Sequence, residues 1–272
     1  MTQQTTRGKR KIPKARSAKA AVKGPAVGEL SEAPRRVDAS VAVHAAPTAS
    51  IYGGVDPAEI PAYTQAEAAA IVGVPVSTLQ KWVKGRKFQT KTGTRTSAPV
   101  IVTPDARFLS FTNMVEAHVL AGLRSAKIAL EKIRTAVHYV ERHFKVKHAL
   151  AREQFKTDGV DLFVERLGQF INASRDGQCA LREVIVEHLR RVEYDKGRAV
   201  RFFPLHREQA PKLVVVDPRR AFGRPVLVGT SVPITDIASR FHHGDDIDQL
   251  ACDYEVTPSE IEEAIRAARS AA

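Results

Sequence analysis

The segment from Thr64 to Lys84 constrains this chain more tightly than any other. Thr64-Gln65-Ala66-Glu67 has the T-x-x-E form of a capping box, in which a hydroxyl and a carboxylate satisfy orphan amides at a helix start. An alanine-rich helix is predicted from there to about Val72, and Gly73 follows where the chain must turn sharply. Helical periodicity resumes over Val76-Ser77-Thr78-Leu79-Gln80-Lys81-Trp82-Val83, with Pro75 just before it or in its first turn, where a missing N–H does no harm. Ala69, four residues before Gly73, is the small side chain that a close helix crossing requires, and Ala68, Val72, Val74, Leu79 and Trp82 supply the inward set. Two short helices joined by a Gly-containing turn form the helix-turn-helix layout.

Any small helical hairpin can show this spacing, so the outward face has to decide. That face carries Ser77, Gln80, Lys81 and Lys84, with Thr78 beside them. These are short hydrogen-bonding and basic groups suited to base edges and phosphates in a major groove. From Ser77 through Val102 there are six basic residues (Lys81, Lys84, Arg86, Lys87, Lys91, Arg95) and no acid, whereas a merely solvated face would mix signs. All of these positions are candidate DNA contacts. The polar stretch 90–98 reads as a flexible approach to two predicted short strands, Pro99 to Val102 and Arg107 to Leu109, which turn at Pro104-Asp105 into a β-wing. Its basic loop would lie against the DNA backbone.

Ser110 is a predicted N-cap for a long helix with Phe111, Met114, Val115, Val119, Leu120 and Leu123 at three- and four-residue spacing. A second periodic helix carries Ile128, Leu130, Ile133, Val137, Val140 and Phe144. These side chains read as core, not as a cofactor box, and no cofactor is implied. Long helices after a winged helix-turn-helix could pair two protomers on a palindromic site, so a homodimer is expected.

At 272 residues the chain is long enough for two modest domains. Its net charge of +12 is unevenly distributed. Residues 1–50 hold 10 basic and 3 acidic side chains, 51–150 hold 14 and 7, 151–210 hold 11 and 10, and 211–272 hold 7 and 10. The first 50 residues, with almost no large apolar side chains, are predicted to be a disordered basic tail, either tracking phosphates or simply solubilising. No run of 18 apolar residues and no hydrophobic stretch behind the basic N-terminus is present. Neither a spanning helix nor a signal peptide is therefore expected, and a cytoplasmic location with Cys179 and Cys252 reduced is.

Residues 60–150 are thus assigned to the winged helix-turn-helix with its long helices, and 151–210 to a small mixed αβ unit. That unit has a turn at Thr157-Asp158-Gly159, strands at Leu162-Phe163-Val164, Gln169 to Asn172 and Ala199 to Phe203, and a helix from Ala180 to Val192. Its acids Asp158, Asp161, Asp176, Glu183, Glu187 and Asp195 alternate with bases instead of converging as a magnesium site would require. Residues 211–272 open with a strand at Leu213 to Val216, turn at Asp217-Pro218, and continue through a Gly- and Pro-rich stretch from Gly223 to Ile234. It lacks the Gly-Lys-Ser/Thr ending of a phosphate-binding loop. Three helices are predicted over 234–242, 246–253 and 258–269, the last introduced by a second capping box, Thr257 and Glu260. Asp245, Asp246, Asp248, Asp253, Glu255, Glu260, Glu262 and Glu263 crowd this bundle, which should bind protein and not DNA. His242-His243 lacks further zinc ligands, and Cys252 is expected to be packed. No nucleophile with a base is evident, so the chain does not read as an enzyme.

The residues also carry a resemblance. Asp217-Pro218, Gly223-Arg224-Pro225-Val226, Gly229-Thr230, Val232-Pro233, Gly244 to Ala251, Asp253-Tyr254 and Ile261 to Ile265 together resemble the trihelical antitoxin domain of VapB-type proteins in bacterial toxin-antitoxin modules. Ser77-Thr78-Leu79, Trp82 and Leu109-Ser110-Phe111 are similar to the DNA-binding half of the larger antitoxins, so the resemblance covers about residues 63–270. It fits the architecture read above, mainly α with small β elements: a MerR-like winged helix-turn-helix, the αβ unit and a C-terminal trihelical bundle. It further implies neutralisation of a cognate PIN-domain ribonuclease of the VapC type and repression of the protein's own operon through operator DNA. Many VapB antitoxins are short and carry different DNA readers, so their toxin contacts do not transfer; Arg266 and Arg269 are candidates because a guanidinium pairs well with an acidic pocket. The alternative is a MerR-like transcription regulator responding to a ligand or another protein. A neighbouring reading frame encoding an acidic-site nuclease separates the two.

Overall fold

The computed structural model describes residues 52–90, 93–124, 128–205 and 209–271, so the expected tail over 1–50 and candidate Lys91 lie outside the described residues. Strand β1 (Tyr63–Thr64) leads into α1 (Gln65–Val72) and α2 (Val76–Lys84), followed by a hairpin of β2 (Arg86–Thr90) and β3 (Gly93–Ser97). Strand β4 (Phe108–Leu109) precedes α3 (Phe111–Arg124) and α4 (Leu130–Phe144), then α5 (Val160–Ile171) and α6 (Arg175–Leu189). A second hairpin, β5 (Val192–Asp195) and β6 (Arg198–Phe202), leads to β7 (Val214–Val215) and β8 (Val226–Leu227), and α7 (Ile234–His242), α8 (Ile247–Asp253) and α9 (Pro258–Ala271) close the chain. The protein is mainly helical with small antiparallel two-stranded sheets, as expected. No helix among the described residues is long and apolar enough to cross a membrane.

Three of the expected strands do not form, and a fourth pairs elsewhere. The hairpin forms from the polar segment itself, in the register Arg86↔Ser97 to Thr90↔Gly93, while Val100 to Val102 are not strand. Phe108 and Leu109 pair with Thr64 and Tyr63, tying the start of α1 to the start of α3. Backbone ladder bonds need no apolar alternation, so a Thr-rich hairpin leaves no hydrophobic signature. In the middle unit, Leu162 to Val164 and Gln169 to Ile171 belong to α5, and the expected turn at Thr157-Asp158-Gly159 is a π-helical stretch, Phe155–Gly159, that runs into it. Val160, Phe163, Val164, Leu167 and Gly168 are buried at helical spacing. That period reads as strand only when its apolar pairs are taken in isolation.

One core begins at Ala58 and extends through Val216, built on Leu79, Phe111, Met114, Leu120, Phe155, Phe163 and Phe202. Ser110 caps α3 as expected, its hydroxyl accepting from the Asn113 N–H at 3.2 Å while its own N–H donates to the Asn113 side chain at 3.3 Å. The apolar faces of α3 and α4 are spent inside this core: Phe111, Met114, Val115, Val119, Leu123, Ile133, Val137 and Val140 are buried within one chain, and α4 packs against α5. A second core joins Val214 and Leu227 to Ile234, Ile237, Leu250, Ile261 and Ala264 of the three C-terminal helices. Buried Arg191 holds the connection between the two, its guanidinium donating to the carbonyls of Phe203 at 3.1 Å, Ala210 at 2.8 Å and Pro204 at 3.0 Å. One planar fork thus satisfies three carbonyls of the linker at once.

Candidate nucleic-acid interface

Local chemistry shapes the reading helix. Thr64 Oγ1 accepts from the Glu67 N–H at 3.2 Å, and Glu67 Oε2 accepts from the Thr64 N–H at 2.8 Å, which completes the capping box of α1. Gly73 sits in the left-handed region at φ +76, and the Val74 N–H returns to the Ala69 carbonyl at 2.9 Å, closing the turn into α2. Leu79, Trp82 and Val83 bury the inner face of α2. On the outer face Ser77, Gln80, Lys81 and Lys84 are exposed and Thr78 is half-buried.

The chain beyond the hairpin then docks on this helix. The Val100 and Ile101 N–H groups both donate to the Trp82 carbonyl, at 2.8 and 3.1 Å, satisfying an acceptor in the last turn of α2. Asn113 Nδ2 donates to the Val102 carbonyl at 3.1 Å, and Arg134 of α4 donates to Ser97 Oγ of β3 at 2.6 Å. Helix, hairpin and α4 are therefore one braced unit. In the hairpin register Arg86, Lys87 and Arg95 stand opposite Ser97, Thr96 and Phe88 respectively, and the hairpin begins two residues after the end of α2. No acid occurs from Ser77 through Val102, so helix and hairpin together carry only basic charge. Long-range attraction of a polyanion needs no more than this.

Sequence reasoning missed a polar constellation beneath the interface. Glu116, buried in α3, accepts from Asn113 Nδ2 at 3.2 Å and sits 3.0 Å from His148 Nδ1. Burial raises the Glu116 carboxyl above its usual range, and the bond to Glu116 raises His148. His118, also buried, has Nε2 3.0 Å from the His188 carbonyl and stacks against the rings of His188 and Phe202; burial pushes its pKa down to about 3. Lone histidines inside an apolar helical pattern carry no period of their own, so nothing in the sequence pairs them.

The C-terminal unit presents different chemistry. Thr257 and Glu260 form the second capping box, with the Thr257 N–H donating to Glu260 at 2.8 Å. Its acids are not uniformly displayed: Asp245 and Asp253 bracket Arg240 at 2.5 and 2.6 Å, and Glu263 is buried and paired with Arg266. Arg266 is therefore already engaged, and Arg269 is exposed near the end of α9. Cys252, expected to be packed, is exposed, as is Cys179, and neither is in a disulfide. No cluster of three metal-ligating side chains occurs among the described residues.

Between the two cores lies a tight turn that the sequence did not single out. Ala221, Phe222 and Gly223 all have left-handed backbone, at φ 44, 54 and 77, which for the two non-glycine residues costs on the order of 1–3 kcal/mol each. Tyr63 Oη of the first core donates to the Gly223 carbonyl at 2.9 Å across 160 residues of sequence. Burial, aided by the nearby Asp217 and Glu67 carboxylates, raises the Tyr63 pKa and keeps the phenol a donor.

Comparison with known proteins agrees with this division. Residues 61–137 match the family described as "Putative DNA-binding HTH domain", and residues 214–267 match that described as "Protein of unknown function (DUF433)". A Mycobacterium tuberculosis protein named "Putative antitoxin VapB45" is 28% identical over 228 residues, covering 77% of this chain and 94% of the relative. A second M. tuberculosis relative, "Uncharacterized protein Rv2308", is 27% identical over 214 residues, covering 75% of this chain and 88% of its own. The crystal structure of Rv2018 from M. tuberculosis superposes with a TM-score of 0.58 at 25% identity, over 76% of this chain and 98% of that one. By similarity, residues 61–137 form a helix-turn-helix region of the kind described as DNA-binding, and most of the chain is similar to a protein named as a putative antitoxin.

Proposed function

We propose that this protein is a VapB-type antitoxin that binds and neutralises a cognate PIN-domain ribonuclease of the VapC type and represses its own operon. The observation that carries the reading is the partition of charge and exposure between two folded regions. The α2 face and its braced hairpin are basic and free of acid, which suits a recognition helix in the major groove with the hairpin against phosphates. Ser77, Thr78 and Gln80 are assigned to base edges, and Lys81, Lys84, Arg86, Lys87, Lys91 and Arg95 to the backbone. The C-terminal region exposes Asp246, Asp248, Asp253, Glu255 and Glu262, acids that phosphate would repel, and the toxin contact is assigned to residues 211–272 as a region, with Arg266 and Arg269 as candidates. A homodimer would meet a two-fold operator; α3 and α4 bury their apolar faces inside one chain, so pairing through these helices would use their outer faces.

The deciding experiment expresses the chain with the nuclease encoded beside its gene. Rescue of growth, a co-purifying complex and a footprint on the operon's own promoter are expected. Absence of both complex and rescue would remove the antitoxin role, leaving a DNA-binding regulator of another input.

A further inference from the structure

We infer that the turn Asp217 to Arg224, with Phe222 at its tip, is the docking surface for the protein partner, and that this partner offers an apolar side chain flanked by carboxylates. The inference rests on the antitoxin reading above and names the surface which that reading leaves open.

Phe222 is 83% exposed, the most exposed of the large hydrophobic side chains among the described residues. It does not hang from a loose loop. Three successive left-handed residues aim it outward, and the turn is pinned from several sides. The Asp217 carboxylate accepts from the Arg219 N–H at 2.9 Å and lies 3.4 Å from Arg201 Nε. The Gly223 N–H donates to the Arg220 carbonyl at 2.8 Å, and Tyr63 holds the Gly223 carbonyl. Backbone strain persists only where surrounding structure enforces it, and a strained, pre-aimed aromatic loses little freedom on binding.

Two further features lie around it. A concavity of about 470 Å³ opens beside Phe222, walled by Ala62, Ile71, Pro225 and Ile234, so a projecting ring and an apolar hollow stand side by side. Arg219, Arg220 and Arg224 are exposed around the turn. Arg220 is 4.0 Å from Asp217, while the side chains of Arg219 and Arg224 have no ion pair among the described residues. An aromatic anchor with arginines at its rim is the composition of a protein-binding hot spot, and the charge requires carboxylates opposite. An exposed ring among arginines would also stack on a nucleobase. The apolar walls of the hollow, Ala62, Ile71, Pro225 and Ile234, favour an apolar protein side chain over a nucleobase with its polar edges.

The test measures affinity of the full-length chain for the nuclease encoded beside its gene and, separately, for a single-stranded oligonucleotide and for promoter DNA. Phe222→Ala and Arg224→Glu are each expected to weaken nuclease binding at least tenfold, with promoter affinity and unfolding midpoint unchanged. If the wild-type chain binds the nuclease and both variants bind within twofold of it, the surface is elsewhere and the antitoxin reading stands. If the wild-type chain binds no nuclease, both fall. If the variants lose only oligonucleotide binding, the surface takes nucleic acid and the inference is overturned.

Discussion

The helix-turn-helix and the C-terminal trihelical unit are built with the same local devices and display opposite surfaces. Each opens a helix with a Thr-x-x-Glu box, Thr64 with Glu67 and Thr257 with Glu260, whose bonds agree to within about a tenth of an ångström. Each packs short helices on small and aliphatic side chains, Ala68, Ala69 and Leu79 in one, Ile237, Ala264 and Ile261 in the other. Yet α2 exposes Lys81 and Lys84, while α8 and the start of α9 expose Asp248 and Glu262. Caps and cores specify helices without regard to the charge of the solvent face, which is left to be set by the partner. The +12 of the whole chain hides this, since an excess of acid over residues 211–272 is outweighed by the bases of the first 150.

The comparison breaks most severely at the joint between the two regions. In Gly223→Ala the new Cβ would fall inside the van der Waals radius of Tyr63 Oη at a backbone φ of +77. A loss of about 3 kcal/mol in urea unfolding is expected from the clash and the left-handed conformation together. An unaffected midpoint would mean that the Tyr63 contact does not hold the regions together.

Acid should separate the regions next. With a folded pKa of about 3 against an ordinary 6.5, His118 stays neutral in the fold while the unfolded chain takes up its proton. Stability is therefore lost as pH falls below about 6.5, by up to about 1.4 kcal/mol per unit, or roughly 2 kcal/mol by pH 5. His188, lowered chiefly by burial, adds to the same trend. His148, raised by Glu116, acts with opposite sign: its contribution is full below 6.5 and is lost as pH rises through its folded value. Because His118 and His188 lie only in the first core, amide exchange at pH 5 should rise there before it rises in α7 to α9. His118→Phe should flatten the pH slope, and an unchanged slope would assign it to other groups.

Charge sharpens the comparison more gently. Lys81→Ala with Lys84→Ala is expected to weaken promoter binding about tenfold at physiological salt and to lower the salt slope by about one unit per lysine. An unchanged slope would place the reading helix elsewhere, whereas Gln80→Ala should alter base preference with the slope intact. The smallest expected effect is at the paired caps. Thr64→Ala and Thr257→Ala should each cost about 1 kcal/mol of stability, and only the first should also reduce DNA affinity. If Thr257→Ala reduced it equally, the regions would not be functionally separate.

What was legible in the sequence was local. Both capping boxes, the Gly73 turn, the inward set of α1 and α2, the Ser110 cap and the spans of α7 and α8 follow from bonds between residues three or four apart, and those bonds leave a spacing. Failures came where partners are remote or where no side-chain pattern is needed. The β2–β3 hairpin is held by backbone bonds between Thr, Lys, Arg and Gln, so its polar sequence read as loop. The α5 helix was read as strands because Leu162-Phe163-Val164 is apolar in succession, although only Phe163 and Val164 of the three are buried. Cys252 was expected inside and is exposed, because Leu250 and Ala251 already fill the buried face of α8.

By itself, then, the sequence determined where helices begin, which faces they bury and how charge divides along the chain, since caps, period and net charge are sums over near neighbours. Tertiary structure alone decided which elements meet: β1 with β4, Arg134 with Ser97, His118 with His188, and Tyr63 with Gly223. Those contacts join residues 37 to 160 positions apart, and a contact at that separation depends on how the whole core packs.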